Sequence, residues 1–278
     1  MSRTQPVAVV KVGGDVLLDE AERVGLAANV KSLVNHDWQV VIIHGGGPQI
    51  NRLQEKHKLI PNKVGGRRIT SADDLLVVKQ AVAGEVNVEL TSALLKEGIP
   101  AFGCHGASGN LIQAIKRPPR IVSGAGPDPI DFGEVGDVTT INNTVLEGLL
   151  DLSLTPVIAT LGVSENGRIF NINADTTVVQ VARALKADLL LMTTAVGAVY
   201  RDLNDPSSRV ATITPAEARG LISDGVIQGG MIPKVEEALT LLDDGVGAIA
   251  IVGGADPKAF LSAAKGTGDV GTRICKPA

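Results

Sequence analysis

Two lysines stand beside glycine pairs at positions where folding alone does not explain a positive charge. Lys11 ends the apolar run 7–10 and is followed by the glycine pair 13–14. Lys234 falls in the first turn of a predicted helix, just after the glycine pair 229–230, where a cation opposes the helix dipole. A single lysine is usually a solvated surface charge. Two lysines in this setting favour a site that holds a phosphate group.

A third glycine-rich turn, at 45–47, is also suited to binding an anion. The stretch 40–50 reads VVIIHGGGPQI, so every side chain is removed where a strand gives way to a helix. The unpaired N–H groups of a helix start attract an anion, and glycine lets that anion approach the backbone. Pro48 fits the first helical position, which needs no donor. One such triplet is equally consistent with a tight turn, but three glycine turns with two lysines predict an anion site.

Other common signatures are missing from the sequence. There is no GxxxxGK[ST] phosphate loop and no strand–GxGxxG–helix fingerprint. The four histidines lack metal-ligand spacing, so no metal site is predicted. Asp175 follows Asn171 and Asn173 at a predicted helix start. Its carboxylate is suited either to capping that helix or to holding one or both lysines, and the spacing leaves both roles open.

The elements that must position these residues alternate along the chain. Apolar runs predict strands at 7–10, 40–43, 99–103, 111–115, 155–161, 189–193 and 248–252, with a hairpin turn at 165–167. Helical spacing predicts helices at 20–36, 72–97, 142–152, 175–186, 215–223 and 231–244. This order favours a mostly parallel sheet with helices on both faces. Ligands of such sheets bind outside the carboxyl ends of the strands, where the glycine turns fall.

Composition narrows the class of protein further. The 278 residues are 44% hydrophobic, only 2% aromatic, and carry a net charge of −4, which disfavours nucleic-acid binding. The two cysteines form no CxxC motif, and no run of 18 apolar residues predicts a membrane span. We therefore expect a cytoplasmic protein with a small-molecule partner and neither a nucleic-acid nor a membrane partner.

The motifs taken together resemble those of a known family. They are KVGG at 11–14, HGGGPQI at 44–50, GGRRIT at 65–70, SGNLI at 108–112, NINAD at 171–175 and GGMIPK at 229–234. In this order they resemble the N-acetylglutamate kinases of the amino acid kinase superfamily. The resemblance implies an α/β fold, a three-layer αβα sandwich with a central, mostly parallel sheet like that of carbamate kinase. It also implies one domain over 1–278, with the acyl amino acid bound by 1–175 and ATP by 176–278.

The resemblance implies an activity and a set of residues. The activity is transfer of phosphate from ATP, with Mg²⁺ bound mainly through the nucleotide phosphates, to the γ-carboxylate of N-acetyl-L-glutamate. This step belongs to arginine biosynthesis. The implied catalytic residues are Lys11, Lys234, Asp175 and Gly14. The implied substrate ligands are Gly46, Gly47, Arg68 and Asn171. The implied nucleotide ligands are Thr194, Ala195, Gly197, Val199, Gly229, Gly230 and Met231.

Three features depart from the family pattern, and two other activities stay open. The stretch 106–109 (GASG) lacks the family's common acid before the second glycine, which puts local loop contacts in question. Thr194 stands where the family usually has an acid, which puts the nucleotide contacts there in question. Only ten residues precede Lys11, whereas the arginine-inhibited hexameric members carry a longer N-terminal helix, so we expect a homodimer without strong arginine feedback. The first alternative activity is the same reaction on N-acetyl-α-aminoadipate for lysine biosynthesis. The second is a catalytically weak, ligand-binding regulator.

Overall fold

The computed structural model describes residues 4–14, 18–122, 126–202, 204–228 and 231–276, with the backbone alone at 231, 233, 234 and 237. The strands are β1 (Val7–Val12), β2 (Gln39–His44), β3 (Lys63–Val64), β4 (Arg67–Arg68), β5 (Ala101–His105), β6 (Ile112–Lys116), β7 (Gly136–Ile141), β8 (Thr155–Ala159), β9 (Leu161–Val163), β10 (Ile169–Asn171), β11 (Leu189–Thr193), β12 (Thr212–Ile213), β13 (Ala248–Val252) and β14 (Thr272–Ile274). The helices are α1 (Glu20–Val34), α2 (Gly47–Lys56), α3 (Ala72–Lys79), α4 (Asn87–Lys96), α5 (Asn143–Asp151), α6 (Ala174–Leu185), α7 (Pro215–Ser223), α8 (Met231–Asp243) and α9 (Ala259–Lys265). A π-helical segment, Gln80–Val86, joins α3 to α4.

The central sheet has eight strands in the order β12-β14-β13-β11-β1-β2-β8-β5. Every neighbouring pair is parallel except β13 and β14. A second sheet has the order β10-β9-β6-β7, and β3 and β4 form a separate antiparallel hairpin. Because β1 lies in the middle of the large sheet, the chain's first strand is buried on both faces.

Alternate residues of the central strands enter two separate cores. Val9 of β1 joins a cluster with residues of α5, α6 and α8, whereas Val10 joins a cluster with residues of α1, α4 and α9. Each fully buried valine or isoleucine side chain contributes about 1.5–3 kcal/mol through the hydrophobic effect. The sheet is therefore covered by helices on both faces, which confirms the predicted three-layer αβα sandwich.

All of the predicted strands and helices overlap observed elements, and two of them differ in form. The predicted strand 155–161 is two strands, because the chain leaves the large sheet at Thr160 and continues in the second sheet as β9. There the Thr160 N–H donates to the His44 carbonyl at 3.3 Å. The predicted helix 72–97 is continuous, but it contains the π-helical segment.

The register of β1 decides which loops meet. Lys11 pairs with Ile43 of β2 on one side and with Met192 of β11 on the other. The turns that follow these three strands therefore lie side by side at the carboxyl edge of the sheet, where the glycine turns were expected to converge.

Two helical glycines give a test of how closely α1 packs against the loop after β13. A Cβ at Gly25 of α1 would lie 2.6 Å from the Ala255 carbonyl oxygen, whereas a Cβ at Gly148 of α5 would meet nothing within 4 Å. We expect Gly148→Ala to raise the free energy of unfolding by about 0.5–1 kcal/mol through helix propensity alone. We expect Gly25→Ala to lower it by about 1–3 kcal/mol, since the backbone loop beside α1 must move.

Urea unfolding of the two variants, monitored by circular dichroism, measures both changes. A stabilising Gly25→Ala would show that the loop after β13 does not pack against α1 as described.

Candidate active site

A cleft of about 290 Å³ opens at the carboxyl ends of β1 and β2. It brings together seven of the residues predicted from the sequence, which are far apart in the chain. Those residues are Lys11, Gly14, Gly46, Gly47, Arg68, Asn171 and Asp175. Of the residues in the predicted anion site, Lys11 and the glycine turns after β1 and β2 thus share one cavity.

Lys11 and Asp175 form an ion pair inside this cleft. Asn173 caps the start of α6 by accepting a hydrogen bond from the Thr176 N–H at 3.1 Å, which places Asp175 in the first turn. The Lys11 side chain leaves β1 on the face covered by α6, and its Nζ lies 3.2 Å from Asp175 Oδ1. The Lys11 side chain is 14% exposed and the Asp175 side chain 34% exposed. Asp175 therefore orients the lysine toward the cleft, whereas Asn173 performs the capping.

The glycine turn after β2 exposes backbone N–H groups to the same cleft. Gly46 is the N-cap of α2, and no side chain of the described residues caps that helix. A Cβ at Gly46 would lie 3.1 Å from both Val82 and Val86, so these two side chains would have to shift slightly to admit it. A Cβ at Gly47 would meet nothing within 4 Å, so packing does not require glycine there. Its missing side chain instead keeps the helix start open to an anion.

Gly14 brings the turn after β1 against the start of α2. A Cβ at Gly14 would lie 2.6 Å from Pro48 Cδ and 3.1 Å from the Gly47 nitrogen. The Gln49 amide also donates to the Gly14 carbonyl at 3.3 Å. Two backbone segments with N–H groups therefore lie close enough to surround one small anionic group.

The buried His44 ring stabilises the glycine turn after β2. Its Nδ1 lies 2.9 Å from the Gly45 carbonyl oxygen, and its Nε2 lies 2.9 Å from the Asn87 side-chain nitrogen. An N–H of neutral imidazole donates to the carbonyl while the other nitrogen accepts from Asn87. Burial lowers the pKa of His44 to about 4, against a smaller opposing effect of the Gly45 hydrogen bond. His44 is thus a neutral structural group at physiological pH and not a ligand of the cleft.

Arg68 and Asn171 both line the cleft. The Arg68 guanidinium donates to the side-chain oxygens of Gln54 and Asn51, the latter at 2.6 Å. Burial lowers the pKa of Arg68, and the nearby Asp74 carboxylate opposes this change. Asn171 donates from its side chain to Thr70 Oγ1 at 3.1 Å. Both side chains are therefore held in fixed orientations.

Three further cations line the cleft that sequence reasoning did not single out: Lys63, Arg67 and Arg117. Gly65 and Gly66 have φ values of +55° and +75°, as a two-residue hairpin turn with both central residues left-handed requires. The hairpin places Lys63 directly opposite Arg68, and like charges in this position repel each other. Lys63 and Arg68 line the same cavity, where an anionic ligand would reduce this repulsion.

Arg117 is only 5% exposed, yet it reaches the wall of the cleft. Its guanidinium forms an ion pair with Asp137 at 2.8 Å and lies 5.8 Å from the centre of the Phe132 ring. In the sequence, Arg117 begins an RPPR run at 117–120, which carries two arginines but no helical or strand pattern.

The residues predicted to bind nucleotide lie beyond the end of β11. Thr194 Oγ1 accepts a hydrogen bond from the Gly197 N–H at 3.0 Å, and Gly197 has a φ of +75°. Ala195 is exposed in the same turn. Val199 lines a neighbouring cleft of about 680 Å³. The Thr194 hydroxyl therefore accepts the hydrogen bond that stabilises this turn, as an acid at this position would also do.

The remaining predicted residues are only partly described. Gly229 and Gly230 lie outside the described residues. Met231 and Lys234 fall in the first turn of α8, as predicted. Tyr200 and the segment 224–228 also line the larger cleft, which therefore lies between the turn after β11 and the approach to α8.

The described ranges contain neither a candidate membrane span nor a candidate metal cluster. None of their helices is long and apolar enough to cross a membrane. No group of three or more His, Cys, Asp or Glu side chains in the same ranges is arranged to hold a metal ion.

The chain is similar to known proteins over almost its whole length. A profile of the amino acid kinase family matches residues 6–253. An acetylglutamate kinase of Anaeromyxobacter sp. (strain Fw109-5) is 46% identical over 245 residues, which cover 88% of this chain and 90% of that protein.

Solved structures share the fold. N-acetylglutamate synthase of Neisseria gonorrhoeae, complexed with coenzyme A and N-acetyl-glutamate, has a TM-score of 0.80 at 25% identity over 98% of this chain and 60% of that one. Carbamate kinase of Giardia lamblia, bound to AMP-PNP, has a TM-score of 0.68 at 18% identity over 99% of each chain, a likeness of fold alone.

The lowered pKa of His44 predicts a specific sensitivity to acid. Unfolded histidine takes up a proton near pH 6.5, but folded His44 does so only near 4, so the unfolded state binds more protons between these values. Stability therefore falls as the pH is lowered, and we expect His44 to contribute a loss of about 2 kcal/mol between pH 7.5 and pH 5. Urea unfolding at the two pH values measures this loss.

The control for this experiment is a pair of variants. His44→Gln should remove that part of the pH dependence, whatever its own stability at neutral pH. Replacement of the exposed His36 by Gln should leave the pH dependence as in the unmodified protein. An unchanged pH dependence in His44→Gln would contradict the assignment of a neutral, buried His44.

Proposed function

This chain belongs to the amino acid kinase family and, within it, to the acetylglutamate kinases, and we infer that it phosphorylates the γ-carboxylate of N-acetyl-L-glutamate with ATP. The product is N-acetyl-L-glutamyl 5-phosphate, an intermediate of arginine biosynthesis. The observation that carries this inference is the single cleft that contains Lys11, Asp175, two glycine turns, Arg68 and Asn171.

The chemistry of the reaction fits a site without a general base. The attacking carboxylate is already ionised at neutral pH, so no proton has to be removed. What remains is to bring two anions together and to stabilise the charge spread over the phosphoryl oxygens. Lys11 is aimed at this position by Asp175 at 3.2 Å. We assign Lys11, Lys234 and the Gly14 N–H to the transferring phosphoryl group, and Asp175 to orienting the lysines.

The acyl amino acid occupies the cleft between the glycine turn and Arg68. The guanidinium fork of Arg68 suits a carboxylate, which it can bind with two parallel hydrogen bonds. Its support by Gln54 and Asn51 lowers the entropy lost on binding. Asn171 supplies a side-chain amide to the same ligand, and the N–H groups of Gly46 and Gly47 receive the γ-carboxylate.

The nucleotide lies over the turn after β11 and the start of α8. We assign it to Thr194, Ala195, Gly197, Val199, Gly229, Gly230 and Met231. Support comes from the position of the larger cleft beside Val199. Mg²⁺ arrives with the nucleotide, held mainly by its phosphates, and neutralises part of their charge. The Asp175 carboxylate is already engaged by Lys11, which favours this assignment over a protein-held metal.

The two binding functions follow a division of the chain at residue 175. In this proposal the first part, 1–175, holds the acyl amino acid and the second, 176–278, holds ATP, within one domain. The clefts support the division, since the smaller one is lined by residues 11–175 and the larger one by residues 196–228.

We also propose that the protein is a homodimer. Strand β5 forms one edge of the large sheet, and an unpaired edge invites pairing with another chain. Three apolar side chains are exposed on β5 and the adjoining α4: Val88, Leu95 and Phe102. An exposed apolar patch beside a sheet edge favours a second copy of the chain as its partner.

The activity is tested by trapping the acyl phosphate as a hydroxamate. Purified protein is incubated with Mg-ATP and either N-acetylglutamate or N-acetyl-α-aminoadipate. We expect turnover of the glutamate compound, and a fall of about 10²–10³ in rate for Lys11→Ala and Lys234→Ala, since each removes one donor to the phosphoryl group. Lys265→Ala, at an exposed position at the end of α9, should retain the full rate.

Two other outcomes of this assay would change the proposed activity. Turnover of the longer compound alone would move the protein to lysine biosynthesis. Binding of N-acetylglutamate without turnover of either compound would indicate a regulator.

The dimer is tested by sedimentation velocity. We expect the unmodified protein to sediment as a dimer and Phe102→Lys as a monomer, because the charge would be buried in the interface. Ile60→Lys, which adds the same charge at an exposed site in the α2–β3 loop, should remain dimeric. A monomeric unmodified protein would refute the proposal.

A further inference from the structure

Thr193, the last residue of β11, contacts the backbone of the strand that carries Lys11. Its side chain is 2% exposed. Its hydroxyl donates to the Lys11 carbonyl at 2.9 Å and receives a longer contact of 3.4 Å from the Gly13 N–H. The single hydroxyl thus spans the three residues over which strand β1 becomes a glycine turn.

This contact falls where the regular pairing of the strands stops. The ladder between β1 and β11 ends at the pair Lys11 and Met192, whereas β1 stays paired with β2 for one residue more. Beyond Lys11 the peptide groups of β1 have no further ladder partner in β11. The Thr193 hydroxyl takes that place, and it fixes the direction in which the chain leaves the sheet.

The hydroxyl acts on the backbone and not in the cleft. Leu189 and Leu191 of β11 belong to the core on the α1 side of the sheet, and strand alternation places Thr193 on that side too. The Lys11 side chain lies on the opposite side, against α6 and Asp175. A change at Thr193 therefore reaches the reacting groups only through the main chain of Lys11.

We propose that Thr193 is a positioning residue for phosphoryl transfer, because its hydroxyl holds the Lys11 main chain in the orientation that directs the Lys11 side chain to the transferring group. The proposal rests on the proposed kinase function. A small displacement of a positioned group has a large effect on rate, whereas substrate affinity depends on Arg68 and Asn171, which Thr193 does not contact.

Thr193→Val removes the hydroxyl at nearly constant volume, and Thr193→Ser retains it. With the hydroxamate assay, we expect Thr193→Val to lower kcat by about 10- to 100-fold with little change in KM for N-acetylglutamate. Thr193→Ser should keep most of the activity. The assay temperature is set well below the unfolding midpoint of every variant, so that loss of folded protein does not enter kcat.

Thr272→Val is the matched control. Thr272 is also buried, and its hydroxyl likewise accepts from one N–H, that of Val199 at 2.8 Å, and donates to one carbonyl, that of Val210 at 2.7 Å. Both Thr→Val variants should unfold at lower temperature. Because Thr272 contacts Val199, which we assign to the nucleotide, an effect of Thr272→Val on binding would appear in KM for ATP. At saturating ATP, only Thr193→Val should lose kcat. Equal losses of kcat in the two variants would show that Thr193 has only a general structural role and would overturn the proposal.

A double-mutant cycle with Lys11→Ala tests the route of the effect. If Thr193 acts through Lys11, Thr193→Val should lower the residual rate of Lys11→Ala only slightly. Fully additive losses would overturn the proposal. An unmodified protein that forms no acyl phosphate would instead refute the kinase function, whereas an active protein with an unaffected Thr193→Val would refute this inference alone.

Discussion

The arrangement of the whole site depends on the pairing of strand β1 with β2 on one side and β11 on the other. A parallel register brings the carboxyl ends of neighbouring strands to the same edge, so residues more than 100 positions apart become neighbours. Lys11, the glycine turn at 45–47 and the turn at 194–197 meet for this reason. A shift of one residue in β1 would turn Lys11 away from Asp175 and exchange the two cores. The hydrophobic alternation of β1 therefore specifies the arrangement of the candidate site as well as the fold.

The cleft concentrates positive charge in a protein of net negative charge. Lys11, Lys63 and Arg68 line it together with Arg67 and Arg117, and Asp175 is the carboxylate that pairs with Lys11. Such an arrangement is unfavourable without a ligand, because the cations repel each other and because Lys11 and Arg68 are also partly withdrawn from water. Two anionic substrates reverse this balance. The repulsion stored in the free cleft is thus relieved on binding, which favours bringing an anionic acceptor and a nucleotide together.

Much of the fold could be predicted from the sequence, because runs of β-branched residues and helical spacing are local signals. The site was predictable where glycines and lysines follow such runs, as at Lys11 and Gly46. Features that depend on tertiary geometry were not. The break at Thr160 arises because the chain passes from one sheet to another. Arg117 lies in an irregular segment, and Thr193 reads as an ordinary strand residue until its neighbour is known. Periodicity carries no information about which strands become neighbours.

An acid at position 194 would both accept a hydrogen bond within the turn and carry a negative charge, whereas Thr194 only accepts the hydrogen bond. Its hydroxyl accepts the Gly197 N–H at 3.0 Å, so the turn forms as it would with a carboxylate acceptor. What differs is the charge. In the nucleotide site proposed above, a carboxylate at this point would add a negative group near the triphosphate, whereas threonine adds none. The change would then preserve the backbone of the turn and remove a charge, so under this proposal we expect it to affect nucleotide selectivity and affinity more than the role proposed for Lys11.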